Sequence, residues 1–211
     1  MNLEKMLAAQ KALDEIIVKE KGLEGQDLLD KKILALQVEL GELANEWRGF
    51  KFWSEDQEPR IKDYKQIKCK WCSGSGDDGT GVCPDCRSSG DVYKEYNPLL
   101  EEYVDCLHFI LSIGLEIKYQ DVEPFIMNTS KNGITEFNLL FANVSGMWLS
   151  TTTAAGMKYH IKEDYRKVIS IFIELGKFLG FTWEQIEQAY LKKIKSIMKD
   201  WRVDTNAKWK F

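Results

Sequence analysis

Two acidic pairs, Glu39-x-x-Glu42 in LQVELGELANEW and Glu102-x-x-Asp105 in LLEEYVDCLHF, are the residues whose types and spacing speak most directly of chemistry. A spacing of three puts both carboxylates of a pair on one face of a helix. Two such helices packed side by side would aim four carboxylates at a shared point. A single acidic pair is ordinarily a solvated helix face, but these pairs stand among apolar residues, and Asp105 falls close to a core boundary. Two carboxylates about 4 Å apart repel by about 4 kcal/mol at an effective dielectric of 20, so their convergence calls for a cation. An all-oxygen set suits Mg²⁺, which keeps positions open for water and phosphate, better than it suits Zn²⁺. The di-iron bundles use Glu-x-x-His, and neither His108 nor His160 stands three residues after a glutamate. The remaining use of carboxylate-held Mg²⁺ in a helical protein is phosphoanhydride chemistry, in which metal clamps the phosphates and acidifies an attacking water.

A second constellation has a different donor. Cys69-Lys70-Trp71-Cys72 and Cys83-Pro84-Asp85-Cys86 are two C-x-x-C knuckles separated by ten residues. Two knuckles complete the tetrahedral four-sulfur shell of structural Zn²⁺. With sulfur at every position no site is left for water, so the expected role is to fold a segment too small for its own core. Binding of nucleic acid or protein by the module is the other reading. The C-x-x-C-x-G-x-G form resembles the cysteine-rich repeats of J-domain cochaperones over this short piece. The fifth cysteine, Cys106, reads as a small buried thiol.

These residues must be held by helices. Apolar periodicity predicts one helix over about Leu3–Lys19, with Gly22 as its stop, and a second over about Asp27–Trp47, with Gly49 as terminator. Asn97-Pro98 opens a third that runs to about Tyr119, since Asn is a preferred N-cap and Pro is welcome at the first helical position. FNLLFANVSGMWL and YRKVISIFIELGKFL have helical length without strand-like alternation. Gly180 stops the latter, and Thr182-Trp183-Glu184-Gln185 has the capping-box form of a last helix reaching about Trp201. The chain reads as all-α, with 1–65 and 96–211 forming the helical domain and 66–95 an inserted zinc-knuckle module. The separation of Glu42 from Glu102 far exceeds the ~2–8 residues of an ordinary helix link, which places the module in the loop between the two acidic helices.

With 211 residues, 44% hydrophobic and 29% charged, the composition is that of a globular domain with a sizeable core. A net charge of −4 argues against a general polyanion-binding surface, the basic run KKIKSIMKDWR being a local patch. No stretch is long and apolar enough to span a membrane, and nothing at the start has the form of a leader, so the cytoplasm is the expected compartment.

The acidic pairs and the DCLHF that ends the second, with MLAAQKALDEI near the start, NEWRGFKFWS after the first pair and GFTWEQIEQAYLKK near the end, resemble the dimeric dUTPases of the all-α NTP pyrophosphatase superfamily. The resemblance covers most of the chain outside the insertion. It implies a helical homodimer that hydrolyses dUTP to dUMP and pyrophosphate. By the same resemblance Glu39, Glu42, Glu102 and Asp105 would hold Mg²⁺, with Glu39 orienting or deprotonating the attacking water. Gln10 would hydrogen-bond the uracil edge, Trp53 would stack on the base, and His108 and Phe109 would face the deoxyribose. Lys192 and Lys193 could pair with the β- and γ-phosphates. Each has a plainer reading: Gln10 a polar face residue, Trp53 a loop anchor, Phe109 a core aromatic, His108 a satisfied helix histidine, the lysines a solvated helix end.

The likeness departs at one place. Family members continue the last segment with an asparagine and an arginine that serve the nucleotide, where this chain has Ile197 and Asp200; Arg202 and Asn206 are the candidate replacements. Two rivals follow, a related pyrophosphatase acting on dCTP or a modified pyrimidine nucleotide, and a zinc-knuckle binding protein whose helical body is a scaffold.

Overall fold

The computed structural model describes residues 3–119, 132–152 and 160–203, the side chains of 200–203 excepted. Asp200 and Arg202 are therefore described in backbone only, and Asn206 lies outside the described residues. The chain is all-α, as its periodicity requires: α1 (Leu3–Glu20), α2 (Leu29–Trp47), α3 (Pro98–Glu116), α4 (Gly133–Thr152), α5 (Ile161–Phe178) and α6 (Trp183–Val203).

Local chemistry sets the ends of these helices. The Asn97 side chain accepts the Leu100 N–H at 3.0 Å, with Pro98 in the first turn of α3. The capping box of α6 is reciprocal: Thr182 Oγ1 accepts the Gln185 N–H at 3.3 Å, and Gln185 Oε1 accepts the Thr182 N–H at 2.9 Å. At the end of α2 the residue in the left-handed region is Arg48 (φ 65°), not Gly49. Arg48 is compensated by Asp56, whose carbonyl and carboxylate lie 2.6 and 3.1 Å from its Nη2. Gly49 serves another need, since a Cβ there would fall 2.5 Å from the Trp47 indole.

Helix α3 is the axis of the bundle. Most of its residues are buried, including Leu99, Leu107 and Ile110, and it touches α1, α2, α5 and α6. Helix α1 runs parallel to it in constant register, Gln10 meeting His108 and Asp14 meeting Ser112. Helix α2 lies antiparallel, so that Lys32 reaches Glu116 at 2.6 Å at one end while the two acidic stretches face each other further along. Helices α3 and α5 interlock reciprocally: Tyr103 of α3 covers Gly176 of α5, and Tyr165 of α5 covers Gly114 of α3. The Tyr103 hydroxyl, buried by this packing, donates to the Phe172 carbonyl at 3.0 Å.

The connection between α2 and α3 contains a feature that periodicity missed. Strands β1 (Asp63–Lys68) and β2 (Asp91–Tyr96) form an antiparallel ribbon, paired from Asp63↔Tyr96 to Lys68↔Asp91. It reaches slightly beyond 66–95 on both sides. DYKQIK and DVYKEY are mostly exposed on both faces, so they lack the apolar alternation by which a half-buried strand is recognised.

Candidate active site

The antiparallel packing of α2 on α3 does what the spacing of the acidic pairs predicts for three of the four residues. Carboxylate oxygens of Glu39, Glu42 and Glu102 lie within 4.8 Å of one another. Asp105, one turn along α3, points at the same region, but its Oδ2 is engaged by the ammonium of Lys193 from α6. Burial, and then the charges of Asp105, Glu42 and Glu39, push the Glu102 carboxyl up to about 7. Glu39 is raised too, by burial and then by Asp105 and Glu42. Asp105 is raised by burial, with the Lys193 ammonium opposing. Carboxyls that resist ionising together on a half-buried surface could hold a hard divalent cation, and an all-oxygen set is the kind Mg²⁺ takes.

Beside this cluster lies a polar network centred on Gln10. Gln10 is only 4% exposed. Its Nε2 donates to Asp14 Oδ1 at 2.7 Å, and its Oε1 faces both the Tyr190 hydroxyl at 2.7 Å and His108 Nδ1 at 2.8 Å. Because an amide oxygen only accepts, Tyr190 donates and His108 carries its proton on Nδ1. The His108 ring stacks on Tyr190, centroids 4.3 Å apart. Burial, then Lys193, pulls its pKa down to about 3. The imidazole is therefore neutral at physiological pH. Its Nε2, now a pure acceptor, is buried without a hydrogen-bond partner among the described residues.

The remaining sequence-predicted residues are less gathered. Trp53 is 65% exposed, edge-on to Phe50 and Phe52 in the loop that leaves α2. Phe109 is half-buried against the core. Lys193 reaches the acidic cluster, whereas Lys192 is exposed and makes no ion pair among the described residues. Tyr190, Asp14 and Ser112 belong to the network and were not singled out by sequence. Asp14 stands four residues after Gln10, the one signal that could have found it.

The four cysteines form a separate buried cluster with Val92 against it. Their sulfurs lie within 4.8 Å of one another, with Cys69–Cys83 at 3.8 Å and Cys72–Cys86 at 3.6 Å. A tetrahedron of sulfurs 2.3 Å from a central Zn²⁺ has edges of about 3.8 Å, so the cage has the size zinc requires. The Gly76 amide donates to Cys72 Sγ at 3.2 Å. Burial opposes ionisation of Cys72, but that amide and the neighbouring Cys86 thiol outweigh it and bring the pKa down to about 6. A Cβ at Gly76 would fall 2.5 Å from the Ser88 carbonyl oxygen, so the close approach of the two knuckles needs glycine. Cys106, by contrast, is buried in α3, its thiol pushed well up by burial.

A sequence model of the dUTPase family matches residues 2–67 and 89–199. The stretch it leaves between them, 68–88, contains all four knuckle cysteines. No curated protein and no solved structure matches the chain. The matched residues take in both acidic helices, the Gln10–His108–Tyr190 network and Lys193, and on that match the chain belongs to the dUTPase family.

Proposed function

We propose that the protein is a Mg²⁺-dependent nucleoside triphosphate pyrophosphatase that hydrolyses dUTP to dUMP and pyrophosphate. One observation carries the reading: Glu39, Glu42 and Glu102 converge on one point beside Asp105 and Lys193. Mg²⁺ held by Glu39, Glu42, Glu102 and Asp105 would neutralise the phosphate oxygens and acidify the attacking water. Glu39 is assigned to orient that water and accept its proton, a role that suits a carboxyl whose pKa burial and its acidic neighbours raise. Lys193 lies where it can exchange Asp105 for a phosphate oxygen, and Lys192 is its neighbour for the same chain of phosphates.

The Gln10–His108–Tyr190 network supports a nucleoside end. His108 Nε2 is held as an acceptor by the Gln10 oxygen on the opposite nitrogen, which suits a sugar hydroxyl as donor. Gln10 retains one amide N–H for the base edge, Trp53 offers a stacking face, and Phe109 would close the space against a 2′-hydroxyl. The four cysteines hold a structural Zn²⁺, and a homodimer completes the assembly. No helix among the described residues is long and apolar enough to cross a membrane.

The deciding measurement is pyrophosphate release from dUTP, dCTP, dTTP and UTP with Mg²⁺, for the parent protein and for Glu39→Gln and Asp105→Asn. Each variant is expected to lose at least ~100-fold in kcat, the scale of a positioned proton acceptor. Unchanged turnover would sink the hydrolase reading. Faster turnover of dCTP than of dUTP would favour the rival motivated by Ile197 and Asp200.

A further inference from the structure

The ribbon that carries the cysteine module is fastened to the acidic helices at a point that bears on the phosphates. Lys65 of β1 donates to both oxygens of Glu101 in α3, at 3.2 Å to Oε1 and 3.0 Å to Oε2. Lys193 of α6 stands 3.9 Å from the same Oε1 while it engages Asp105. Two ammoniums from elements distant in sequence thus flank one carboxylate oxygen, and Glu101 is the immediate neighbour of the cluster residue Glu102. The Lys65 ammonium is also held 4.6 Å from the centre of the Tyr96 ring, at the base of β2.

The register adds a third cation. Lys65 pairs directly with Lys94 across the ladder, so the two side chains leave the same face of the ribbon, the one that Lys65 turns toward α3. Lys94 is exposed and has no carboxylate within 4 Å among the described residues. Like charges directly opposite each other weaken a ladder, and in a ribbon so exposed little burial offsets that cost. Around this edge Lys65 and Lys193 share Glu101, Lys193 also holds Asp105, and Lys94 has neither. If Asp105 turns to a divalent cation, as the proposed function requires, the lysines are left in excess of their carboxylates beside the cluster. That is an anion site, and the anion which arrives with Mg²⁺ is a polyphosphate.

We propose that Lys65, backed by Lys94, binds the terminal phosphates of the nucleotide, so that the cysteine module builds one wall of the phosphate end of the site. This inference rests on the nucleotide-hydrolase reading above. It also gives the insertion a task beyond its own folding: the Cys69–Cys86 cage clamps the far end of the ribbon whose near end presents Lys65.

The test uses the full-length zinc-loaded protein, with dUTP and Mg²⁺ for kinetics and inorganic pyrophosphate as a base-independent probe, titrated by calorimetry. Lys65→Met is expected to raise KM and to weaken pyrophosphate binding, each by about tenfold, the loss of one charge-assisted hydrogen bond. The loss should fall on KM rather than kcat, zinc content should be unchanged, and Lys65→Arg should recover most of it. Unaltered KM and pyrophosphate affinity in Lys65→Met would overturn the inference. So would a loss accompanied by lower zinc content or melting temperature and not rescued by arginine, because Lys65 would then only fasten the ribbon. Glu39→Gln separates the two levels: if it retains turnover the hydrolase reading fails, while the calorimetric titration still decides whether Lys65 binds polyphosphate.

Discussion

The imidazole of His108 is buried, stacked on Tyr190 and tied through Nδ1 to Gln10, so its charge and tautomer are fixed by neighbours rather than by solvent. Tyr190→Phe keeps the stack and removes one of the two donors to Gln10 Oε1. Urea denaturation should show a loss of about 1–2 kcal/mol, the cost of an under-satisfied buried amide. Glu102 gives the opposite case, a carboxyl whose state follows pH. Its pKa is raised from 4.5 to about 7 in the folded protein, so its protonated form contributes stability that is complete below about 4.5 and lost as pH rises through about 7. Glu39 and Asp105 are raised as well and act with the same sign. The melting temperature measured without added Mg²⁺ should therefore fall between pH values of about 5 and 8. Excess Mg²⁺ should reverse that fall, and Glu102→Gln should flatten it. The acidic pairs were legible because each is local, three residues on one helix face. The partners of His108 were not, since Gln10 and Tyr190 stand 98 and, from each other, 180 positions away in the chain.

At the scale of elements, caps and stops were legible for the same reason. The capping box at Thr182 and the Asn97-Pro98 start are complete within four residues, so sequence specifies them without tertiary help. The end of α2 was not, because Arg48 can hold its left-handed backbone only with Asp56 folded back onto it. The pairing of α3 with α5 depends on the two tyrosine-over-glycine contacts, and neither glycine has room for a methyl group. Gly176→Ala and Gly114→Ala should each destabilise the fold by about 1–3 kcal/mol through overpacking, read as shifts of the denaturation midpoint at constant slope. The ribbon escaped detection because an exposed strand leaves no hydrophobic trace, and its existence is dictated by what it carries, a cage that must close four sulfurs on one point.

At the scale of the whole molecule, the described residues form two cores that share no buried residue: the helical one built around α3, and the cluster of Cys69, Cys72, Cys83 and Cys86 with Val92. Their separateness predicts separate stabilities. A zinc-selective chelator should expose the 68–88 stretch to proteolysis while the far-UV helical signal and its melting are largely retained, since a small metal module loses its fold with its metal. Collapse of the helical signal on zinc removal would contradict two independent cores. Asp63 and Tyr96, opposite each other at the foot of the ribbon, bear on how such a chain is assembled. Paired strand residues stand only about 5 Å apart, so the chain leaves the helical body and returns to it at nearly the same point. Topologically the connection is a socket. A two-residue Asn-Gly turn in place of 69–90, between the paired Lys68 and Asp91, would close the same hairpin, and so would any other domain whose own ends lie that close together. The body should fold alike around each, which makes this position an exchange port at which other modules can be attached to the helical domain.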